Sequence, residues 1–236
     1  MKKPLSLSFA LMALLPHSYS AYADGPTVSI APVVEGVYVM FGQGGNIGLS
    51  VGDDGVVVID TQFAELSEQH QSAINTMFPG VQTTLTLNTH YHGDHTGGNA
   101  HWAAHAHIIS HHNVRERLAD KPEELKPDLT YGSDMMVYLN GQEMQLVHPG
   151  AAHTDGDTAV IWAEENVVHT GDLFFKDRFP YIDLDGGGSV MGYLDAVSML
   201  LESMDDQTRI IPGHGELANK ADYERFQTML EDTIAW

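Results

Sequence analysis

The segment THYHGDHTGGN, residues 89–99, is the feature that most restricts what this chain can fold into. It places three histidines and an aspartate within six positions, from His90 to His95. The preceding run TTLTLN has the composition of a β-strand. Burying four such groups without partners would cost several kcal/mol, whereas a divalent cation satisfies them together. The pattern therefore predicts a metal site at the end of a strand.

The spacing within the segment favours a shared site. His90 and His92 are two residues apart in extended chain, so they project to the same side. Gly93 then allows the chain to turn, which lets Asp94 and His95 face the same space.

The composition narrows the possible ligands. Cysteine is absent from all 236 residues, so a metal has to be held by histidine, aspartate or glutamate. Hydrophobic residues make up 43% of the chain, which is enough to bury a core.

The N-terminus has the pattern of an export signal. Lys2 and Lys3 precede an apolar run from Leu5 to Leu15, and Ala21-Tyr22-Ala23 follows as a small-x-small cleavage site. We predict a signal peptide over residues 1–23 with cleavage after Ala23. Residues 24–236 would then form one domain of a periplasmic or secreted protein.

The formal net charge of −21 restricts the partners. Such a surface repels phosphate backbones and anionic lipids, which argues against nucleic acid and membrane binding. We expect a monomer whose partner is a small-molecule substrate.

The order of predicted elements indicates two similar halves. Strands, a helix, a strand and further helices occupy the chain up to Ala119, and a hairpin turned by Asn140-Gly141 begins the second half. A second hairpin turns at residues 164–166, and helical stripes follow near Tyr193 and Phe226. Two β-rich halves with their own helices predict two sheets packed face to face, with helices outside.

Three later polar residues follow predicted strands. His153 comes after MQLVHPG, Asp172 after NVVHTG and His214 after RIIPG. Because strand ends commonly gather at one rim of a sheet, these side chains are expected to join the histidine cluster.

The ordered pattern H-x-H-x-D-H, then H, then G-D, then G-H-G resembles the metallo-β-lactamase superfamily. The segment VVVIDTQ adds Asp60, which matches that family's first motif. The resemblance implies an α/β (α+β) protein with a four-layer αββα sandwich and a two-metal site at its edge.

The resemblance also implies a role for each motif residue. The ligands of one metal would be His90, His92 and His153. The ligands of the other would be Asp94, His95 and His214. Asp172 would bridge the two ions, and Asp60 would orient the ligand loop. Two zinc ions are expected, although nitrogen and carboxylate ligands without thiolate also accept iron or manganese.

The implied reaction is the attack of a metal-bridging hydroxide on a carbonyl. Asp94 would help to transfer the proton, and His153 would be needed for turnover. Replacing His153 is expected to abolish turnover and to leave the protein folded.

Several other patterns have simpler explanations. Ser50 in GLSVG lies inside a predicted hairpin, where a nucleophile elbow cannot form. His101 and His105 lack the glutamate of a zincin helix. The glycines at 42–45 and 186–188 do not open helices, so they predict loops flanking the site. His107, His111, His112, His148 and His169 are also expected to be core or surface histidines.

The substrate is less restricted than the site. The histidine set matches periplasmic β-lactamases that confer antibiotic resistance, but those of the first subclass have cysteine at the position of Asp172. They also have a carboxylate-binding lysine three positions later, where this chain has Phe175 beside Lys176. The resemblance therefore implies a weak or secondary β-lactamase activity.

Other functions stay open. A lactonase, with Tyr193 as a substrate contact, or a thioesterase-like hydrolase is one alternative. Nuclease members of the family fit poorly, because their anionic substrates would be repelled. A hydroxyacylglutathione hydrolase would need a further C-terminal domain, and 22 residues follow His214. The alternative of another class is a non-catalytic periplasmic zinc-binding protein.

Overall fold

The computed structural model describes residues 27–236. The predicted signal peptide over residues 1–23 therefore lies outside the described residues.

The first half forms a seven-stranded sheet in sequential order from β1 to β7. Its strands are β1 (Ser29–Val34), β2 (Val37–Phe41), β3 (Ile47–Gly52), β4 (Gly55–Ile59), β5 (Thr83–Leu87), β6 (His107–His111) and β7 (Leu129–Tyr131). Strands β1 to β4 are antiparallel, and β4 to β7 run parallel. Every residue of β4 is buried, as expected for a strand covered on both faces.

The second half forms a six-stranded sheet in the order β13-β12-β11-β10-β9-β8. Its strands are β8 (Asp134–Leu139), β9 (Gln142–Val147), β10 (Ala159–Trp162), β11 (Val167–Phe175), β12 (Arg209–His214) and β13 (Ala218–Asn219). The β8–β9 hairpin turns at Asn140 and Gly141, whose φ angles of 60° and 69° suit the left-handed turn that Asn-Gly favours.

The helices cover the outer faces of the two sheets. They are α1 (Ser67–Met77), α2 (Gly93–Thr96), α3 (Asn99–Ala103), α4 (His112–Arg117), α5 (Val190–Glu202) and α6 (Lys220–Ile234). Helices α1, α3 and α4 contact strands of the first sheet, and α5 and α6 contact the second. None of the described helices combines the length and apolar character needed to cross a membrane.

Three buried apolar clusters join these layers. The cluster around Val57, Leu87 and Trp162 fills the space between the sheets. A second cluster, with Ile74 and Trp102, packs helices onto the first sheet, while the third packs α5 and α6 onto the other sheet. Two sheets with helices on both sides confirm the predicted αββα sandwich.

Three short or edge strands were not predicted from the sequence. Strand β1 contains Pro32 and is only partly buried, so its alternation is weak. Strands β7 and β13 have three and two residues, which is too short to give a period.

Candidate metal centre

The main ligand loop leaves β5 and is held by Asp60, which directly follows β4. Asp60 is buried and has a φ of 68°, an uncommon backbone conformation for aspartate. Its Oδ1 accepts a hydrogen bond from the Thr89 backbone N–H at 2.8 Å, and its Oδ2 accepts one from the Thr89 hydroxyl at 2.7 Å. The loop therefore begins from a fixed position.

Three imidazoles form the first cluster, defined as His90, His92 and His153. The Nδ1 atom of His92 lies 3.1 Å from His90 Nε2 and 2.9 Å from His153 Nε2. The three ring nitrogens thus converge on one point, although His153 comes from the loop after β9.

Each ring of the first cluster is oriented by a contact at its other nitrogen. His90 Nδ1 lies 3.0 Å from the Thr89 hydroxyl oxygen. His153 Nδ1 lies 2.7 Å from the Tyr181 carbonyl oxygen, which can only accept, so Nδ1 carries the proton. These contacts leave Nε2 of His153 free to act as a metal ligand.

His92 is oriented by Asp183, a residue that sequence reasoning missed. The Asp183 Oδ2 atom lies 2.9 Å from His92 Nε2 and also accepts a hydrogen bond from the Tyr91 hydroxyl. Asp183 Oδ1 accepts from the Gly186 backbone N–H at 2.9 Å. The Asp-x-x-Gly spacing is a recognisable turn signal, but nothing in it indicates a contact with His92.

The glycines at 186–188 belong to a well-supported loop. The Asp183 backbone N–H donates to the His153 carbonyl at 2.9 Å, and the Ser189 N–H donates to the Ala152 carbonyl at 2.8 Å. A side chain at Gly186 would overlap Asp183 and the Tyr91 hydroxyl. The predicted flanking loop is therefore packed directly against the histidine-bearing loop.

The second cluster is defined as Asp94, His95 and His214. Asp94 Oδ2 lies 3.3 Å from His214 Nε2 and 3.7 Å from His95 Nε2. His95 Nδ1 lies 2.7 Å from Asp60 Oδ2, which directs its Nε2 toward the cluster. Asp60 therefore supports both the start of the loop and one of its histidines.

Asp172 lies between the two clusters. Its Oδ2 lies 3.4 Å from His153 Nε2, and its Oδ1 lies 3.1 Å from His95 Nε2 and 3.3 Å from His214 Nε2. The sequence predicted a strand end here, but β11 continues through Phe175 with an irregular register around Gly171. This irregularity turns the carboxylate toward the site.

A short loop between β2 and β3 packs against the second cluster. The Gly45 backbone N–H donates to the Asp94 carbonyl at 3.2 Å, and a side chain at Gly45 would overlap the His95 ring. Asn46 Nδ2 donates to the carbonyls of Pro212 and Gly215, each at 2.8 Å, on either side of His214. This loop therefore positions the second cluster through the Gly45 backbone and the Asn46 side chain.

The electrostatics of the two clusters differ. Burial lowers the pKa of His90 well below its ordinary value and lowers that of His153 to about 4. Burial also opposes the charged form of His214, but the Asp172 and Asp94 carboxylates raise its pKa to about 9. Burial likewise disfavours ionised Asp172, yet the neighbouring His95 and His214 hold its pKa well below the usual range.

The buried polar atoms fit a metal ion. His95 Nε2 and Asp172 Oδ1 are buried and lie 3.1 Å apart, yet the geometry gives neither atom a hydrogen bond, with each other or with any other described residue. Unpaired buried groups of this kind are costly, and a cation between them would satisfy both. Two groups of side chains have ligand atoms within 4.8 Å of one another: His90, His92, His153 and Asp172 in one, and Asp94, His95 and His214 in the other. All seven predicted ligands are thus brought together, with Asp60 behind them.

Three other residues singled out in the sequence are buried and are not among the ligands. Ser50 is buried within β3 and donates to Gln142 Oε1 at 2.6 Å. His169 is buried and lies 3.2 Å from the Asn46 carbonyl. Tyr193 is fully buried, and its hydroxyl donates to the Asp172 carbonyl at 2.6 Å. The suggestion of Tyr193 as a substrate contact is therefore wrong, because a ring without exposed surface supports the site from behind.

Curated relatives match parts of the chain. The 2,4-dinitroanisole O-demethylase subunit alpha of Nocardioides sp. strain JS1661 is 32% identical over 129 residues, covering 52% of this chain and 39% of that protein. A hydroxyacylglutathione hydrolase of Polaromonas sp. strain JS666 is 30% identical over 144 residues, covering 59% of this chain and 51% of the relative. The chain thus spans about half or less of these relatives.

A solved structure matches the whole fold. The metallo-β-lactamase from Pontibacter korlensis superposes with a TM-score of 0.77 at 17% identity, over 87% of this chain and 99% of that structure. The sequence model of the metallo-β-lactamase superfamily matches residues 41–214, which contain every residue of both clusters. Family match, sandwich and ligand geometry agree, and the chain belongs to the metallo-β-lactamase superfamily.

Proposed function

We propose that this protein is an exported, zinc-dependent hydrolase that cleaves a carbonyl compound, either a β-lactam amide or a related cyclic amide or ester. The observation that carries the proposal is the position of Asp172. Its two carboxylate oxygens face different clusters, which is the arrangement required of a ligand shared by two ions.

The residues available to hold two ions are the members of the two clusters together with Asp172. When bound, zinc would supply a Lewis acid for the carbonyl and lower the pKa of bound water toward about 7. The chain itself presents neutral imidazoles at His90 and His153, because burial lowers the pKa of both. These ligands are therefore ready to bind at neutral pH.

Asp94 is the side chain best suited to transfer a proton. Its side chain is 25% exposed, and its Oδ2 lies 3.3 Å from His214 Nε2. Burial opposes the ionised form, but the hydrogen bond with His214 and the charges of His95 and His214 together keep the pKa of Asp94 below its ordinary value. Asp94 is thus an ionised carboxylate at the open side of the centre and can accept a proton there.

The position of Lys176 weakens the case for β-lactams as main substrates. Its Nζ donates to the Leu217 carbonyl at 2.7 Å and lies 3.6 Å from Asp222 Oδ2. This lysine is thus already paired with acceptors away from the ligands. Lactone or thioester hydrolysis is the alternative favoured by this pairing, and a small molecule is the proposed partner.

The test is a substrate screen on purified protein loaded with zinc. Nitrocefin, a lactone and a thioester would be assayed beside the Asp94→Ala and His153→Ala variants, with zinc content measured by elemental analysis. Turnover that both variants lose, with two ions per chain, supports the proposal. Zinc binding without turnover on any substrate would instead favour a zinc-binding protein.

Export is tested separately. Cell fractionation and N-terminal sequencing of the product should find a periplasmic or secreted protein that begins at Asp24.

A further inference from the structure

We propose that the substrate presents an uncharged, apolar acyl group to this site and that the side chain of Tyr181 binds it. This inference rests on the proposed function and names the class of substrate. It is carried by the loop between β11 and α5, residues 176–189, which contacts two of the metal ligands.

The loop exposes three large apolar side chains, and Tyr181 is the one whose ring lies beside the first cluster. Phe179, Tyr181 and Leu184 are 68%, 60% and 66% exposed. The Tyr181 ring centroid lies 6.0 Å from that of His92 and 5.9 Å from that of His153. Exposed apolar surface that adjoins a ligand site commonly marks a binding surface.

The backbone that carries the aromatic ring is held in place by the same contacts that orient the ligands. The Tyr181 carbonyl accepts from His153 Nδ1 at 2.7 Å, and Asp183, two residues later, contacts His92. We call the exposed side chains of Tyr181 and Leu184 the apolar wall. The backbone that carries them therefore has a fixed position relative to the first cluster. A substrate carbonyl held at the centre would place its acyl group against this wall.

Two basic side chains near the loop, Lys176 and Arg117, are paired with other groups, and a third, Arg178, lines a separate cavity. Lys176 is paired with the Leu217 carbonyl and Asp222, as described above. Arg117 donates two hydrogen bonds to the Asp155 carboxylate, at 3.1 and 2.6 Å, and one to the Asp185 carbonyl at 3.2 Å. Arg178 lines a cavity of about 290 Å³ between the loop and α6, together with Asp177 and Asp222.

The acidic side chains on this loop add to the same preference. Asp177 and Asp185 are exposed, and both carry the sign that repels a carboxylate. A substrate with a negatively charged acyl group would therefore meet these carboxylates, while the nearby cations are paired or line a different cavity. An apolar acyl group would instead bury hydrocarbon against Tyr181.

Hydroxamic acids provide a binding test that does not depend on turnover, since they chelate metal through a common head group. Hexanohydroxamic acid and succinic monohydroxamic acid would be titrated into the zinc-loaded protein by calorimetry. We expect the hexanoyl compound to bind about ten-fold more tightly, the effect of burying about two methylene groups. Equal or tighter binding of the succinyl compound would overturn the proposal.

Variants of the loop test whether it causes the preference for the hexanoyl compound over the succinyl compound. Tyr181→Ala should remove most of the ten-fold difference, while Tyr181→Phe should retain it. Leu184→Lys should narrow the difference by strengthening binding of the succinyl compound. Tyr138→Ala, which removes another exposed tyrosine from the edge strand β8, is the matched control and should change nothing.

Failure of this inference can be distinguished from failure of the proposed function. An unchanged preference in Tyr181→Ala, with normal zinc content, would overturn this inference even if the enzyme is active. Absence of turnover on p-nitrophenyl hexanoate would count against the proposed function. The relative affinities of the two hydroxamic acids would still show whether the apolar wall prefers an uncharged acyl group.

Discussion

The two clusters use different means to prepare their ligands. In the first cluster, His90 and His153 are kept neutral by burial, and each ring is oriented by a contact at its outer nitrogen. In the second, His214 is paired with two carboxylates that raise its pKa to about 9. The first cluster is therefore arranged for a cation before one arrives, whereas the second has to lose protons as an ion binds.

This difference indicates how the centre fills. An ion entering the first cluster meets neutral donors at His90 and His153, whose rings are fixed. An ion entering the second displaces a proton from His214 and another from His95, whose pKa the Asp172 and Asp60 carboxylates raise despite burial. We expect the first cluster to be occupied first near neutral pH.

The largest expected effect comes from removing the ligand that the clusters share. Asp172→Asn withdraws the negative charge from both, so turnover should fall by at least about 1000-fold, or about 4 kcal/mol. Steady-state kinetics with elemental analysis would measure this. Near-normal turnover with two ions bound would contradict the bridging role.

Asp183→Ala should act on the first cluster alone. Loss of the carboxylate behind His92 should weaken zinc binding there by about 10- to 100-fold, the usual effect of removing such a partner. Competition with a chromophoric chelator would resolve the two affinities.

The control for Asp183 is Asp185→Ala, which changes an exposed residue two positions later in the same loop. The side chain of Asp185 makes no hydrogen bond among the described residues, and only its carbonyl is used. Equal losses in the two variants would show that the loop, and not the contact with His92, determines the affinity.

A pH series would sharpen the comparison. Because the pKa of His214 is about 9 in the metal-free protein and that of His95 is also raised, each unit of pH between 6 and 9 should strengthen binding at the second cluster by about ten-fold for each proton released. His153, with a pKa of about 4, is already neutral across this range. Cobalt titrations followed by absorbance would measure the affinity of each cluster at each pH. Equal pH dependence of the two affinities would contradict the proposed difference between the clusters.

The smallest expected effect concerns the support beneath the second cluster. His70 lies 3.0 Å from Gln62 Oε1, and Gln62 Nε2 donates to the Gly45 carbonyl at 2.6 Å. Burial lowers the pKa of His70 to about 4, so the unfolded chain binds more protons between pH 6.5 and 4. The contribution of His70 to stability is complete above pH 6.5 and is lost as the pH falls.

His70→Gln should reduce this acid sensitivity. At pH 5.5, the protonation of His70 in the unfolded chain should cost the native protein about 1 kcal/mol. Urea unfolding at pH 7.5 and 5.5 would show a smaller loss in the variant. An identical loss would assign the acid sensitivity to other groups, such as His111, whose pKa burial also lowers to about 4.

The layers of the fold could be predicted because they follow from local periodicity. Hairpins at residues 140–141 and 164–166 and the helices near Tyr193 and Phe226 occur where the pattern indicated them. The weak strand β1 could not be found in this way, because Pro32 and partial exposure remove the alternation.

The ligands could be predicted from their spacing, but their supports could not. Asp183 contacts His92 across 91 positions, and Asn46 reaches Gly215 across 169 positions. Such contacts arise from the packing of the two sheets and produce no periodic pattern in the sequence. The same holds for Tyr193, whose burial depends on α5 packing against β11.

The distribution of the ligands over the two sheets has a consequence for assembly. The loop after β5 supplies His90 to His95, while His153, Asp172 and His214 come from the other sheet, so each ion would be gripped from both halves. Bound zinc would then cross-link the two halves of the sandwich. If the chain were divided near Gly132, each fragment would contain only part of the ligand set, and zinc would promote reassociation of the two fragments.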